Sequence, residues 1–157
     1  MARWGICSVH RIGTAGDPYL DRYRLLQTPW FGIYLHRIHR PDLEPDGHDH
    51  PWWFWRLVLW GAYTERFWPN KDNPGWYCTW HLRWLSMGTF RRDAAHRITW
   101  ASQPVWTLVV VGRDHDEWGF WPGGQYVRWQ DYFAPAAGER RSHKQPWDTS
   151  SIPVVWD

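Results

Sequence analysis

Asp46-Gly47-His48-Asp49-His50-Pro51-Trp52-Trp53-Phe54-Trp55-Arg56-Leu57-Val58-Leu59-Trp60-Gly61 runs from a polar turn into an apolar, aromatic segment closed by a glycine. The segment from Trp52 to Trp60 has the length and composition of a buried strand. Alternate residues of a strand share a face, so His48 and His50 can aim both rings at one point. Imidazole is the commonest protein ligand for borderline first-row metals, and two side chains fixed on one strand lose little further entropy when an ion arrives. The pair reads as part of a metal site; the competing reading is an ordinary turn rich in Asp, Gly, His and Pro, with both rings exposed.

If the strand is regular from His48, then His48, His50, Trp52, Phe54, Arg56, Val58 and Trp60 face the same way. A buried guanidinium costs several kcal/mol unless paired, so Arg56 calls for an anion, either a protein carboxylate or the carboxylate or phosphate of a ligand. A bulge at Pro51 would reverse the register and send Arg56 to solvent. Asp49 points away from its two neighbours, which argues against a His-x-Asp ligand pair.

A chain of 157 residues is one domain with room for a core. With 17 Trp, 7 Tyr and 6 Phe beside 12 Pro and 13 Gly, it favours short strands joined by turns over long helices. An all-β domain follows. A formal charge of +2 with no basic run gives no reason to expect nucleic acid. Cys7 and Cys78 are too few for a disulfide framework and lack zinc-site spacing, so they read as small core residues and a reducing cytoplasm is expected. The stretch from Met1 to Cys7 has no signal-like apolar core and no window approaches a membrane span.

Taken in order, residues 1 to 19 are expected to be an arm on the domain, and 20 to 133 the domain itself. Strands are expected over 20–27 and 30–38, broken by Thr28-Pro29, then a polar loop from His39 to Gly47 leading to the histidines. The strand 52–60 is expected to pair with 62–68 across a tight turn at Gly61. Further strands are read over 76–85, 87–90, 105–111, 117–121 and 126–129, with His96 in a segment of its own between them. Most tryptophans are expected to fill the core. The stretch from Ala134 to Asp157, rich in Pro, Ala, Gly, Ser and charge, reads as an irregular extension.

The spacing from His48-x-His50 to Gly61 resembles the first motif of the cupin superfamily: two histidines, a glutamate about four residues on, then a glycine. Phe54 stands where a typical cupin has the glutamate. Arg91-Arg92-Asp93-Ala94-Ala95-His96-Arg97-Ile98 keeps the histidine of the second motif without its Pro-x-Gly turn. The stretches Thr28 to Arg37, His48 to Trp52, Pro104 to Leu108 and Glu117 to Trp121 are similar to those of small, mostly uncharacterised cupin-like proteins of bacteria and phages, over about residues 20 to 133. The resemblance implies a cupin-type double-stranded β-helix, or jelly roll, and a homodimer as the natural assembly. It also implies a site made of histidines alone, or one completed by a carboxylate or water from elsewhere.

On that reading His48, His50 and His96 hold one divalent metal ion per chain, Fe(II) first, with Ni, Mn, Cu or Zn as alternatives. His81, His36, His39, Asp46 and Asp93 are the other candidates to complete or orient the site. Arg56 or Arg97 would hold the anionic group of a small-molecule substrate, and Trp52, Trp53, Phe54 and Trp118 would line or flank its pocket. No Gly-rich phosphate loop, paired carboxylates or activated Ser or Cys is apparent, so the metal is the one catalytic device. A mononuclear Fe(II) dioxygenase acting on a small organic anion is the expected function. The alternatives are a ligand-binding module without turnover, and an accessory protein of phage or bacterium working through protein contacts.

Overall fold

Turn formers every ten residues or so leave room for short strands only, and short strands are what form. The computed structural model describes residues 8–13, 16–73, 75–113 and 117–134. Its strands are β1 (Val9–Gly13), β2 (Pro18–Gln27), β3 (Phe31–Ile38), β4 (Phe54–Trp60), β5 (Tyr63–Trp68), β6 (Cys78–Leu82), β7 (Met87–Phe90), β8 (Ala95–Ala101), β9 (Val105–Gly112), β10 (Gly119–Phe120) and β11 (Val127–Arg128). One helical turn, α1 (Trp129–Tyr132), follows. Between β2 and β3 the Thr28 hydroxyl accepts the N–H groups of Trp30 and Phe31 at 3.2 and 3.0 Å, closing the turn that Thr28-Pro29 announces.

The strands make a six-stranded sheet in the order β1-β2-β3-β9-β4-β7, a three-stranded sheet β6-β5-β8, and the pair β10-β11. Every pairing is antiparallel. The architecture is the all-β, jelly-roll type expected. Part of the segment read as an arm is built into it, since β1 is the edge strand of the larger sheet. Of the extension only Ala134 lies within the described residues.

One expectation is overturned at Gly61. β4 and β5 do not pair; β4 lies between β9 and β7, whereas β5 lies between β6 and β8 in the other sheet. Gly61 (φ +79°) is where the chain crosses from one sheet to the other, and a Cβ there would stand 2.8 Å from the Pro104 carbonyl oxygen. A tight hairpin and a sheet-to-sheet crossing need the same glycine, so local sequence cannot separate them.

Two apolar clusters hold the sheets together. One gathers Ile12, Leu20, Ile38, Val58 and Val105 from the larger sheet with Tyr63, Leu82, Ile98 and Ala101 from the smaller. The other centres on Tyr34, Phe54, Phe67, Phe90, Val109 and Val111. The rest of the inner face is polar, with Arg56, Glu65, His96 and Thr107 all buried.

The tryptophans are not the core. None of those described is buried, and Trp30, Trp60, Trp76, Trp84 and Trp100 each expose more than half of their surface. Phe, Val, Ile and Ala fill the narrow inner space instead, where an indole is too large to be enclosed on all sides. The alternation read over 76–85 shortens to β6, of which only Leu82 is buried.

Candidate metal centre

His48 stands alone between two strands. Its N–H donates to the His96 carbonyl and its carbonyl accepts the His96 N–H, both at 2.9 Å, and His48 also bridges to Phe120 of β10. The neighbouring bonds continue the ladder: Asp49 N–H donates to the Gly119 carbonyl at 3.1 Å, and Trp121 N–H to the Gly47 carbonyl at 2.9 Å. The loop from Asp46 to His50 is thereby stitched between β8 and β10. This places His48 and His50 against His96 across a long sequence separation.

The three rings converge. One ring nitrogen from each of His48, His50 and His96 lies within 4.8 Å of the others, and Nε2 of His50 is 3.0 Å from Nε2 of His96. Two nitrogens each about 2.1 Å from one ion and at right angles around it stand about 3.0 Å apart, so this spacing suits adjacent ligands of a divalent metal. No carboxylate joins the cluster among the described residues.

The protonation pattern also fits. Burial pushes His48 down to about 4, and burial together with the neighbouring His96 and His48 pushes His50 well below the usual histidine range. Both rings are neutral with lone pairs to offer. His96 is oriented from behind, where its Nδ1–H donates to Glu65 Oε2 at 3.1 Å and leaves Nε2 as the acceptor turned toward His50. The Glu65 carboxyl is pulled upward by burial but held below its usual value by the His96 hydrogen bond and the Arg56 charge. Arg56 grips it with both ends of its fork, Nη1 donating to Oε2 at 2.7 Å and Nη2 to Oε1.

Glu65 is the residue that sequence reading missed. It has no exposed surface and joins the two sheets by pairing β5 with Arg56 of β4. A trace of it exists in the sequence: Tyr63, Glu65 and Phe67 alternate on one face, an acid between two aromatics on a strand.

The other candidates sort clearly. Phe54 meets His50 edge-on at 5.1 Å between ring centroids, Trp52 lies 6.2 Å from His50, and Trp118 lies 6.4 Å from His48. These three form aromatic walls near the rings, whereas Trp53 is exposed. Arg56 points inward as expected, but its anion is Glu65. Arg97 alternates with the buried His96 and Ile98 and is paired in register with Arg66 on β5, so it faces away from the three histidines. His39 is taken by Asp21 at 2.8 Å and His81 is exposed, 2.9 Å from the Thr64 hydroxyl. Asp46 accepts the Tyr132 hydroxyl and Asp93 pairs with Arg91 at the surface. Asp49 points away as expected, accepting Gly119 N–H at 2.8 Å and pairing with Lys71 at 2.6 Å. His36 is on the inner face of β3, in register with Arg22 and Thr107.

The two facing antiparallel sheets are an arrangement shared with known structures. A candidate mannose-6-phosphate isomerase from Ralstonia eutropha JMP134 superposes at a TM-score of 0.52 with 17% identity, over 64% of this chain and 91% of that one. The fold is that of a cupin. Fe(II)-HppE bound to an alternative substrate, (S)-1-HPP, superposes on this chain at 0.52 with 12% identity, over 67% of this chain and 55% of HppE. CapF with the inhibitor 3-isopropenyl-tropolone gives 0.53 with 13% identity, over 69% of this chain and 32% of CapF. The chain thus matches about half of HppE and a third of CapF, and nearly all of the Ralstonia protein. No protein-family model matches its sequence, and no curated protein does. Among the described residues no helix is long and apolar enough to cross a membrane.

Proposed function

We propose that this chain is a metal-dependent cupin enzyme, an Fe(II) dioxygenase acting on a small organic anion, with His48, His50 and His96 as the metal ligands. The observation that carries the reading is the convergence of three imidazoles, one of them oriented by a hydrogen bond to a buried carboxylate. Resemblance in fold to Fe(II)-HppE supports iron among the candidate metals.

A divalent ion held by His48, His50 and His96 would supply redox chemistry toward O2 or a Lewis acid. The chain's own residues prepare the surroundings. Glu65 keeps a proton on His96 Nδ1 and stays ionised because Arg56 neutralises it, so neither group exchanges protons with a substrate. Phe54 and Phe90 pack edge-on against His50, and Phe120 lies beside His48, giving the rings an apolar surround. Trp52 and Trp118 supply flat walls for the substrate. The absence of a carboxylate at Phe54 favours a second reading, a ligand-binding cupin without turnover. A homodimer in the reducing cytoplasm is the assembly and setting that go with either, consistent with the free thiol of Cys78.

Elemental mass spectrometry on untagged protein, wild type against His48→Ala/His50→Ala, tests the metal. About one iron, nickel, manganese or zinc per chain, lost in the double variant, supports the site; none in wild type after anaerobic reconstitution overturns it. Uptake of O2 by the iron-loaded protein on addition of small carboxylates separates enzyme from binding module.

A further inference from the structure

The three-stranded sheet carries a cavity on the side turned away from the histidines. Glu65, Phe67 and His96 are buried on its inner face, so Arg66 and Trp68 of β5, in register with Arg97 and Ala95 of β8, lie on the outer one. There Arg66, Trp68, Lys71, Tyr77, Trp121 and Gly123 border a space of about 280 Å³. That is room for one ring with a short substituent. Gly47 and Ala95 also line it, the chain neighbours of His48 and His96, and the alternation of β8 sets the cavity and the His96 ring on opposite faces of the strand.

The lining is aromatic on its walls and short of acceptors. The Trp68 and Tyr77 rings stand 5.7 Å apart between centroids, and Trp68 packs on Gly47, where a Cβ would come within 2.8 Å of the indole. Arg66 lies over the Tyr77 ring at 4.6 Å from its centroid, and a guanidinium held over a ring keeps its N–H groups for an anion. Arg66 and Arg97 are directly opposite across β5 and β8, a pairing of like charges that destabilises a sheet unless something negative joins them. Among the described residues no carboxylate lies within ion-pairing distance of either. Nε of Arg97 and the indole N–H of Trp121 are both shut off from solvent without an acceptor. Lys71, 5.2 Å from the centroid of Trp121, is already neutralised by Asp49 at 2.6 Å.

We propose that this outer cavity binds a small aromatic carboxylate, with its ring among Trp68, Tyr77 and Trp121 and its charge on Arg66. The site is distinct from the three histidines and needs no metal. Flat aromatic walls favour a flat ring, and the fork of arginine matches a carboxylate in shape as well as charge. A single negative charge fits better than two. Asp46 lines the same cavity, its carboxylate accepting the Tyr132 hydroxyl at 2.8 Å, and Glu44 is close enough to Arg97 for their charges to interact. Both acids oppose a dianion such as a phosphate monoester.

The test follows benzoate binding to the untagged full chain by saturation-transfer NMR on the benzoate ring protons. Wild type is expected to bind benzoate saturably. Benzyl alcohol, which has the ring without the charge, and acetate, which has the charge without the ring, should each bind more weakly by roughly tenfold or more. Arg66→Gln is expected to weaken benzoate by roughly tenfold and Tyr77→Ala by roughly threefold. Arg66→Lys, which keeps the charge and lacks the fork, should fall between wild type and Arg66→Gln and guards against misfolding as the cause. The exposed Arg83→Gln, beyond the other end of β6, serves as the control without effect. His48→Ala/His50→Ala should bind benzoate as wild type does, whether or not the metal site proposed above holds an ion. No saturable binding in wild type, or unchanged affinity in Arg66→Gln, overturns the site, and loss of binding in the histidine double variant overturns it by placing benzoate at the histidines. Phenyl phosphate or benzyl alcohol binding as tightly as benzoate overturns the carboxylate assignment.

Discussion

His96 Nδ1 lies 3.1 Å from Oε2 of Glu65, a carboxylate without exposed surface that Arg56 holds from the other side. One acid therefore orients a candidate metal ligand and ties the two sheets of the barrel. Removing it should be felt in both. Glu65→Gln is expected to cost about 3 to 5 kcal/mol in chemical denaturation, because it strands the buried Arg56 charge. It should also weaken metal binding by about 10- to 100-fold in a competition titration, because His96 exchanges a charged orienting acceptor for a neutral amide. Replacing the pair together, Arg56→Met with Glu65→Leu, should recover most of the stability and none of the metal affinity. Recovery of both would show that Glu65 acts on the fold alone.

Metal-free protein should lose stability on acidification. In the folded chain His48 titrates at about 4, against an ordinary value of about 6.5. As pH falls the unfolded chain takes up the proton first, so the stabilising contribution is complete above about pH 6.5 and is lost between there and about pH 4. For His48 alone this amounts to about 3 kcal/mol. His50 and His36, lowered by burial in the same direction, add to the slope. Urea midpoints measured between pH 7 and pH 4.5 should fall steadily, and a flat profile would mean that these rings are open to water.

Phe54 fills the place where cupins carry a glutamate, with its ring stacked on Phe90 at 4.7 Å and edge-on to His50 at 5.1 Å. Phe54→Glu should lower stability by about 3 kcal/mol, through lost packing and a newly buried carboxyl. It should tighten divalent metal by about tenfold, since a carboxylate then joins three imidazoles. Calorimetric metal titration checks the second effect, and unchanged affinity would place residue 54 out of reach of the ion.

Asp49 points away from the histidines it separates, yet it fixes them, accepting Gly119 N–H at 2.8 Å and Lys71 Nζ at 2.6 Å. Asp49→Ala leaves a buried N–H without an acceptor and should cost about 1 to 3 kcal/mol. Hydrogen exchange should quicken at Gly119 and at Asp49 itself, whose N–H donates to the Gly119 carbonyl, with little change in β2 and β3. Uniform quickening would contradict a local anchoring role.

By itself the sequence determined the strands and one of the two faces of the site. Period-two alternation and turn chemistry mark β2, β3, β4, β7 and β9 because each is a local property of a few residues. The inward aim of Arg56 and the outward aim of Asp49 follow from the same alternation, and the demand of Arg56 for an anion follows from its burial. The resemblance to cupins brought His96 to His48 and His50, which spacing alone does not do.

Only the tertiary structure decided which side chains meet. Gly61 reads alike as a hairpin turn and as a crossing between sheets, and its outcome depends on β9 and β8 competing for the strands on either side. Glu65, Arg22 and His36 are ordinary residues of ordinary strands until register sets them on the inner face. Tryptophan content suggested a tryptophan core, but enclosure is a question of volume between two sheets, which Phe, Val and Ile settle. Burial, partner and protonation are properties of an assembled interior, and no stretch of this chain carries them before the sheets close on each other.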